Sequence, residues 1–370
     1  MHSPDMPRSA SLDADARSPA VASLTAWHVL ALVGGLIVIA GLPFVVKNFF
    51  VFQITLAVIY AIAILGLNLL TGVNGQFSLG HSAFYAIGAY TAAIMMNADI
   101  GYGWTLPAAG LACFISGFLF GLPALRLEGI YLALATFALA VATPQLLKVN
   151  FLEDWTGGVQ GISIIKPDAP FGLPLNADQW LYFFTIAVAA LLYLGAANLV
   201  KSRTGRALVA IRDHPVAASA MGINVPLYKS LIFGVSALYT GVAGALGAIA
   251  IQFVAPDSFT FTLAIALFVG LVVGGVGSIP GTLFGGAFVL FVPNIAEKVS
   301  KGLAGAVYGV ILILLIYLMP TGVAGLVRWT TGMLGRRAVA LEANPETKPD
   351  TKTSAELARL EGDKSGVQAR

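Results

Sequence analysis

Residues 68–92, NLLTGVNGQFSLGHSAFYAIGAYTA, place hydrogen-bonding side chains inside an otherwise apolar stretch. Carboxamide, hydroxyl and imidazole groups donate and accept hydrogen bonds, which is the chemistry that holds a polar solute. The candidate residues are Asn68, Asn74, Gln76, Ser78, His81 and Ser82. Irregular backbone at membrane depth survives only where protein or a wet cavity satisfies its polar groups. We predict a break between two spans over 72–82, which either dips into the helix bundle or caps the cytoplasmic mouth of a substrate pathway.

The amino-acid composition indicates that these polar groups belong to an integral membrane protein. Of the 370 residues, 58% are hydrophobic and 11% are charged, against about 25% charged in a soluble domain. The net charge of +3 comes from clusters of basic residues and does not indicate nucleic-acid binding. The single cysteine, Cys113, excludes an internal disulfide and a CxxC metal site.

Hydrophobic windows of about 20 residues, long enough to cross about 30 Å of hydrocarbon, predict an all-α bundle of about ten transmembrane helices. The predicted spans are 29–46, 49–71, 83–98, 105–125, 130–147, 179–200, 229–252, 259–276, 281–296 and 304–320. Residues 1–28 lack an early apolar core and are predicted to be a retained tail rather than a removed signal. Residues 326–370 are predicted to be a C-terminal tail that is basic at first and then disordered.

The basic residues predict the orientation of the bundle, because lysine and arginine near spans stay preferentially on the cytoplasmic side. With the N-terminus inside, the cytoplasmic set outside 338–370 is Arg8, Arg17, Arg126, Lys201, Arg203, Arg206, Arg212, Lys229, Arg328, Arg336 and Arg337. The smaller external set is Lys47, Lys148, Lys166, Lys298 and Lys301. We therefore predict a multi-pass protein of the cell inner membrane, surrounded by lipid, with both termini cytoplasmic.

Two hydrophilic loops lie on opposite sides of the predicted membrane. Residues 148–178 are predicted to form a folded external cap, such as a short hairpin, with an ordinary connector of turns as the alternative. In the cytoplasmic loop 201–228, Pro215 begins a short helix at a favoured first-turn position and Gly222 ends it. A short helix between basic clusters suits docking into a groove of a soluble partner.

A series of sequence blocks, in order along residues 55–325, carries a resemblance to a known family. The blocks are GLNLLTGVNGQFSLGHSAFYAIGAYTAA, TGGVQGI, RTGRALVAIRD, AIRDHPVAASAMGINVPLYKS, YKSLIFGVSALYTGVAGAL and VVGGVGSIPGTLFGGAF. Together they resemble the LivM-type permease subunits of branched-chain amino acid ABC importers. The coupling loop of importers reads Glu-Ala-Ala, three residues, then Gly. Here Ala217, Ala218 and Gly222 keep that spacing, while Val216 replaces the acidic residue.

The resemblance implies a transmembrane permease domain over 29–325 that works within a larger assembly. Its expected partners are a LivH-like second permease, two ABC ATPase subunits and an extracytoplasmic substrate-binding protein. Contact with the ATPases would involve Arg206, Arg212, Asp213, Ala217, Ala218 and Gly222. The chain lacks a GxxxxGK[ST] loop, so no cofactor is expected on it and ATP is used by the partner subunits.

The implied function is translocation of branched-chain or related amino acids by alternating access. Permeases of the same family carry urea or short-chain amides, and a stand-alone channel or secondary carrier is an alternative from a different class. A carrier driven by protons or sodium would need a buried acid, but Glu128 lies beside Arg126 at a span end, where an internal ion pair is expected. His81 is expected to cap or hydrogen-bond rather than to carry protons.

Glycines spaced three or four residues apart predict close helix packing, with pathway lining as the alternative. They are Gly117, Gly121, Gly241, Gly244, Gly281 and Gly285. The glycine-rich segment 270–286 does not fit a nucleotide fingerprint, because no strand–turn–helix unit surrounds it. The sequence contains no nucleophile elbow, HExxH motif or Cys/His cluster. No catalytic or metal-binding residue is predicted, and the chain is expected to be a transport subunit rather than an enzyme.

Overall fold

The computed structural model describes residues 39–125, 127, 129–170, 174–299, 304–318 and 322–325. Residues 39–45 are helical. The helices that follow are α1 (Asn48–Asn68), α2 (His81–Asn97), α3 (Tyr102–Ala124), α4 (Ile130–Leu146), α5 (Asn150–Thr156), α6 (Ala177–Lys201), α7 (Arg203–Asp213), α8 (Pro215–Ala220), α9 (Val225–Ile251), α10 (Phe261–Gly274), α11 (Gly281–Val299) and α12 (Ala304–Leu318). Both predicted tails, together with Arg126 and Glu128, lie outside the described residues.

The predicted all-α membrane class is confirmed by the apolar helices. By length and composition, five segments are able to cross a membrane: Asn48–Val73, Tyr102–Pro123, Ala177–Lys201, Val225–Ile251 and Pro256–Gly274. Helices α4 and α5, bent by 79°, make a sixth if the pair is one span. The predicted spans 83–98, 281–296 and 304–320 correspond to α2, α11 and α12. The first predicted span, 29–46, is described only from residue 39. The other predicted spans each correspond to a described helix, so the prediction of about ten spans agrees with the structure.

Helices α1 and α9 form the centre of the bundle. Helix α9 packs against α3, α2 and α1, and α1 also packs against α6 and α11. These are the two most completely enclosed of the candidate spans. Between apolar helices in lipid, association depends on close packing and interhelical hydrogen bonds rather than on water release. The two central helices are therefore the frame that positions everything else.

At one end of the bundle, a two-residue strand from the 148–178 segment pairs with the chain that leaves α9. Strand β1 (Ile162–Ser163) lies antiparallel to β2 (Phe253–Val254). Lys148 Nζ also lies 2.5 Å from Asp257 Oδ1. A local hairpin would need both strands to come from the 148–178 segment. Here the partner strand comes instead from the chain that follows α9. Pairing the two segments satisfies backbone groups of both.

The opposite end carries the predicted break, the short helices α7 and α8, and the turn that joins α10 to α11. Helix α1 runs into one π-helical turn, Leu69–Val73, before the chain becomes irregular and α2 begins. Helix α7 contacts both this π-helical turn and α6. The predicted break and the predicted coupling loop are therefore neighbours in space.

Candidate functional site

The break between α1 and α2 satisfies part of its own backbone. Gln76 N donates to Leu70 O at 3.2 Å, and Thr71 Oγ1 donates to Gln76 O at 3.0 Å. Gly75 has φ of 74°, in the left-handed region that glycine adopts at little cost. The remaining polar groups of the segment must find partners on other helices, and most of them do.

Asn68, in the last turn of α1, is fully buried and holds the break against the α10–α11 turn. Its Nδ2 donates to Ser278 O at 3.0 Å, and its Oδ1 accepts from Gly277 N at 2.8 Å. One carboxamide therefore satisfies a backbone acceptor and a backbone donor of a turn about 210 residues away.

His81, the first residue of α2, sits in a buried hydrogen-bond chain. Ser236 Oγ donates to Gly66 O at 2.6 Å, so it accepts from His81 Nε2 at 2.7 Å. His81 Nδ1 then accepts from Ser78 Oγ at 3.3 Å, and that hydroxyl accepts from Gly80 N. Both ring nitrogens of a neutral imidazole are occupied. The chain of bonds ties α2 to α9 and α1.

Two hydrogen bonds join the break directly to the loop that carries α7 and α8. Arg212 Nη1 donates to Gly72 O at 3.1 Å, and Gln76 Nε2 donates to Lys229 O at 3.2 Å. Arg212 Nε also bonds Asp213 Oδ1 at 2.9 Å on the exposed side. A displacement of this loop would therefore pull on the break through specific bonds.

Asn74 and Ser82 differ from their neighbours in the break. Both are buried, with Asn74 only 3% exposed. Within the described ranges, no group hydrogen-bonds Asn74 Oδ1, Asn74 Nδ2 or Ser82 Oγ. A buried polar atom without a partner costs about 1–3 kcal/mol. Asn74 also lines a cavity of about 240 Å³ between the break and the α7–α8 loop.

The predicted coupling helix is α8, one and a half turns long, which presents apolar side chains to the outside. Pro215 begins α8, and Val216 and Met221 are 80% and 84% exposed. Gly222 follows with φ of 83°, and Ile223 N donates to Ala218 O to close the helix end. Arg206 and Ala217 are also exposed, whereas Ala218 faces inward. The exposed apolar side chains suit a groove in another protein.

The glycines predicted for helix packing all lie at close helix contacts. At each one, an added Cβ atom would come within 3.1 Å of a neighbouring helix. Gly117 and Gly121 face α9, Gly241 faces α3, Gly244 faces α2, and Gly281 and Gly285 face α10. In this conformation the helix backbones leave little space for a side chain. Pathway lining by these glycines stays a prediction.

The family of the chain is decided by a match over most of its length. A model of the family described as branched-chain amino acid transport system / permease component matches residues 49–316. The chain belongs to this family. From residue 49 onward, the matched range includes α1 to α11, with the break and the α7–α8 loop among them.

Relatives of the permease carry names from the same transport system. The chain is 36% identical to the high-affinity branched-chain amino acid transport system permease protein LivM of Escherichia coli (strain K12) over 285 residues, and 35% to that of Salmonella typhimurium. Each alignment covers 70% of this chain, which spans 66% of those relatives' length. LivH of Escherichia coli (strain K12) is 26% identical over 74% of this chain and 93% of LivH. No solved structure matches the permease.

Several residues that hold the site together were not singled out by the sequence analysis. Ser236 on α9 bonds His81, and Thr136 Oγ1 on α4 accepts from Leu79 N at 2.9 Å. A hydroxyl inside a predicted span is a signal, since it needs a partner in lipid. The hydroxyl alone does not indicate which residue it bonds, because the bonded pairs lie 57 and 155 residues apart in the sequence.

The same substitution at two asparagines of the break should affect the stability of the permease differently. Asn68→Leu leaves Gly277 N and Ser278 O unpaired and should lower the free energy of unfolding by about 3 kcal/mol. Asn74→Leu removes an amide whose atoms lack described partners and should leave the stability unchanged or raise it. Thermal unfolding of the purified variants in detergent measures both effects. Equal losses would contradict this assignment of the hydrogen bonds.

Proposed function

We propose that the chain is the membrane permease subunit of an ABC importer for branched-chain or related amino acids. The family match and the names of the LivM relatives support the substrate class. The observation that carries the proposal is the pair of hydrogen bonds between the polar break and the α7–α8 loop. They join the segment that suits a polar substrate to the segment that suits a soluble partner.

Transport would proceed by alternating access. Closure of the partner ATPase subunits on ATP moves α8, and the movement passes through Arg212 to Gly72 O and through Lys229 O to Gln76. The break then shifts relative to α9 and α10, and the shared pathway opens to the other side. The polar groups proposed to meet the substrate are Asn68, Asn74, Gln76, Ser78, His81 and Ser82. Several of them bond other helices in this conformation, so opening exchanges those bonds for bonds to substrate or water.

The proposed assembly contains a LivH-like second permease, two ABC ATPases that use ATP, and an extracytoplasmic substrate-binding protein. The relationship to both LivM and LivH supports a pair of related permeases. In the proposed orientation both termini and the α7–α8 loop face the cytoplasm, as the distribution of basic residues favours. The β1–β2 end then faces outward, where the binding protein docks.

Purification from the native membrane in mild detergent tests the proposal. We expect a second permease and ATPases with a GxxxxGK[ST] loop to co-purify with the chain. The reconstituted complex, with its binding protein, should take up leucine when ATP is supplied, and urea and acetamide should not compete. A chain that purifies alone and moves solute by itself in liposomes would contradict the proposal. Uptake of urea in place of leucine would reassign the substrate.

A further inference from the structure

The cavity between the break and the α7–α8 loop, here named the break–loop cavity, is lined by both polar and apolar residues. Its volume is about 240 Å³, below the about 300–1,000 Å³ of pockets for drug-sized ligands. Asn74, Gln76, Arg212 and Lys229 contribute polar or cationic groups to the lining. The apolar residues of the lining include Phe77, Leu132 and Ile211.

Asn74 gives the cavity an unused hydrogen-bonding group. Asn74 is 3% exposed, and among the described residues neither its Oδ1 nor its Nδ2 has a hydrogen-bond partner. Asn68, six positions earlier, uses both corresponding atoms. Because leaving such a group unpaired is costly, a donor and acceptor at the edge of a cavity indicate that another molecule completes the bonds.

The polar residues of the lining can bind both charged groups of a zwitterion. Arg212 uses Nε for Asp213 and Nη1 for Gly72 O, which leaves other guanidinium N–H groups for a carboxylate. Lys229 adds a second cation to the lining. Gln76 donates through Nε2 to Lys229 O, so its Oε1 is available as an acceptor for an ammonium group.

We propose that the break–loop cavity binds a free aliphatic α-amino acid. Its carboxylate would lie against Arg212 and Asn74, its ammonium group against the oxygens of Gln76 and Asn74, and its side chain against Leu132 and Ile211. The inference rests on the proposed function for the substrate class and for the cytoplasmic position of the cavity. The bound amino acid is then the transport product, taken up from the cytoplasm.

Binding at this position inhibits transport, because the ligand contacts two elements that move during the cycle. Asn74 and Gln76 belong to the break, whereas Arg212 belongs to the loop that meets the ATPase. A ligand that bonds both elements favours the conformation in which they have their present separation. Accumulated amino acid therefore slows further uptake.

The test uses the complete complex in proteoliposomes that hold ATP inside and binding protein with labelled leucine outside. Unlabelled leucine, leucinamide or inorganic phosphate is enclosed, and the initial rate of uptake is measured. Unlabelled leucine inside the proteoliposomes should lower the initial rate of labelled leucine uptake. Leucinamide, which lacks the carboxylate, and phosphate, which lacks the aliphatic group, should need concentrations at least about tenfold higher. Equal inhibition by phosphate would identify an anion site and overturn the proposal.

Asn74→Leu and Thr185→Val form the matched pair of variants. Both remove a buried polar group that has no partner within the described residues, but Thr185 lies on α6 and outside the cavity lining. With each rate normalised to its own uninhibited value, Asn74→Leu should raise the inhibitory leucine concentration about tenfold. Thr185→Val should leave it unchanged. The same ranking should hold for leucine binding by equilibrium dialysis of the purified complexes.

The outcomes separate this inference from the proposed function. If the wild-type complex takes up leucine but internal leucine has no effect, the cavity inference is wrong and the importer assignment stands. If no leucine uptake occurs, the assignment of leucine as the substrate fails. Equilibrium dialysis then tests the cavity inference independently. Leucine binding that Asn74→Leu weakens supports the inference, and leucine binding that the substitution leaves unchanged overturns it.

Discussion

Gly244→Val is expected to abolish assembly of the native bundle. A Cβ atom at this position of α9 would overlap the Tyr85 carbonyl oxygen, lie 2.9 Å from the Tyr85 carbonyl carbon and lie 3.1 Å from Ala89 N. These are backbone atoms of α2, which cannot rotate away as a side chain can. Helix α2 is held there by a second backbone contact, between Gly88 and Gly241. We expect a loss of more than about 4 kcal/mol, above the about 1–3 kcal/mol of ordinary core overpacking, because the backbone atoms of α2 cannot yield.

Gly309→Val is the matched control for this prediction. Gly309 also lies within an apolar helix, but an added Cβ atom would meet no described atom within 4 Å. The measurement is the yield of monodisperse protein by size-exclusion chromatography of detergent-solubilised membranes. Gly309→Val should match the wild type and Gly244→Val should give aggregate or no protein. Similar yields from the two variants would show that the α2–α9 contact is not closely packed.

If the proposed ATPase subunits dock on α8, Val216→Asp combined with Met221→Asp is expected to release them without unfolding the chain. Both side chains are largely exposed on or next to α8, so a charge there costs little in the isolated chain. In an apolar groove of a partner, each carboxylate would be buried without a counter-charge. We expect the amount of co-purified ATPase to fall by at least about tenfold. Thermal stability should stay unchanged.

Val159→Asp controls for the general effect of adding a surface charge. Val159 is 66% exposed in the turn after α5, at the opposite end of the bundle. This variant should retain the ATPases. Retention of the ATPases by the Val216→Asp, Met221→Asp double variant would contradict docking through α8, whereas loss of both the ATPases and thermal stability would indicate unfolding instead.

The sequence by itself determined the class of the protein, the helices and the position of the break. A segment that crosses the lipid bilayer must be long, apolar and nearly free of charge whatever the rest of the chain does. These features can therefore be recognised in each stretch of sequence by itself. The predicted span 229–252 corresponds to α9, Val225–Ile251, and the predicted break at 72–82 lies where α1 ends and α2 begins. The loop 201–228 contains α7 and α8, with α8 beginning at Pro215 as predicted.

The tertiary structure alone decided which partner each polar group has. Asn68 and Asn74 have the same side chain and lie six residues apart, yet the first is fully bonded to a distant turn and the second has no described partner. The two-residue strands β1 and β2 are too short to carry a periodic pattern. Residue type states what a side chain is able to bond, but its partner depends on helices brought together from 150 to 210 residues away. Only packing sets those positions, and for that reason the break–loop cavity could be found in the structure and not in the sequence.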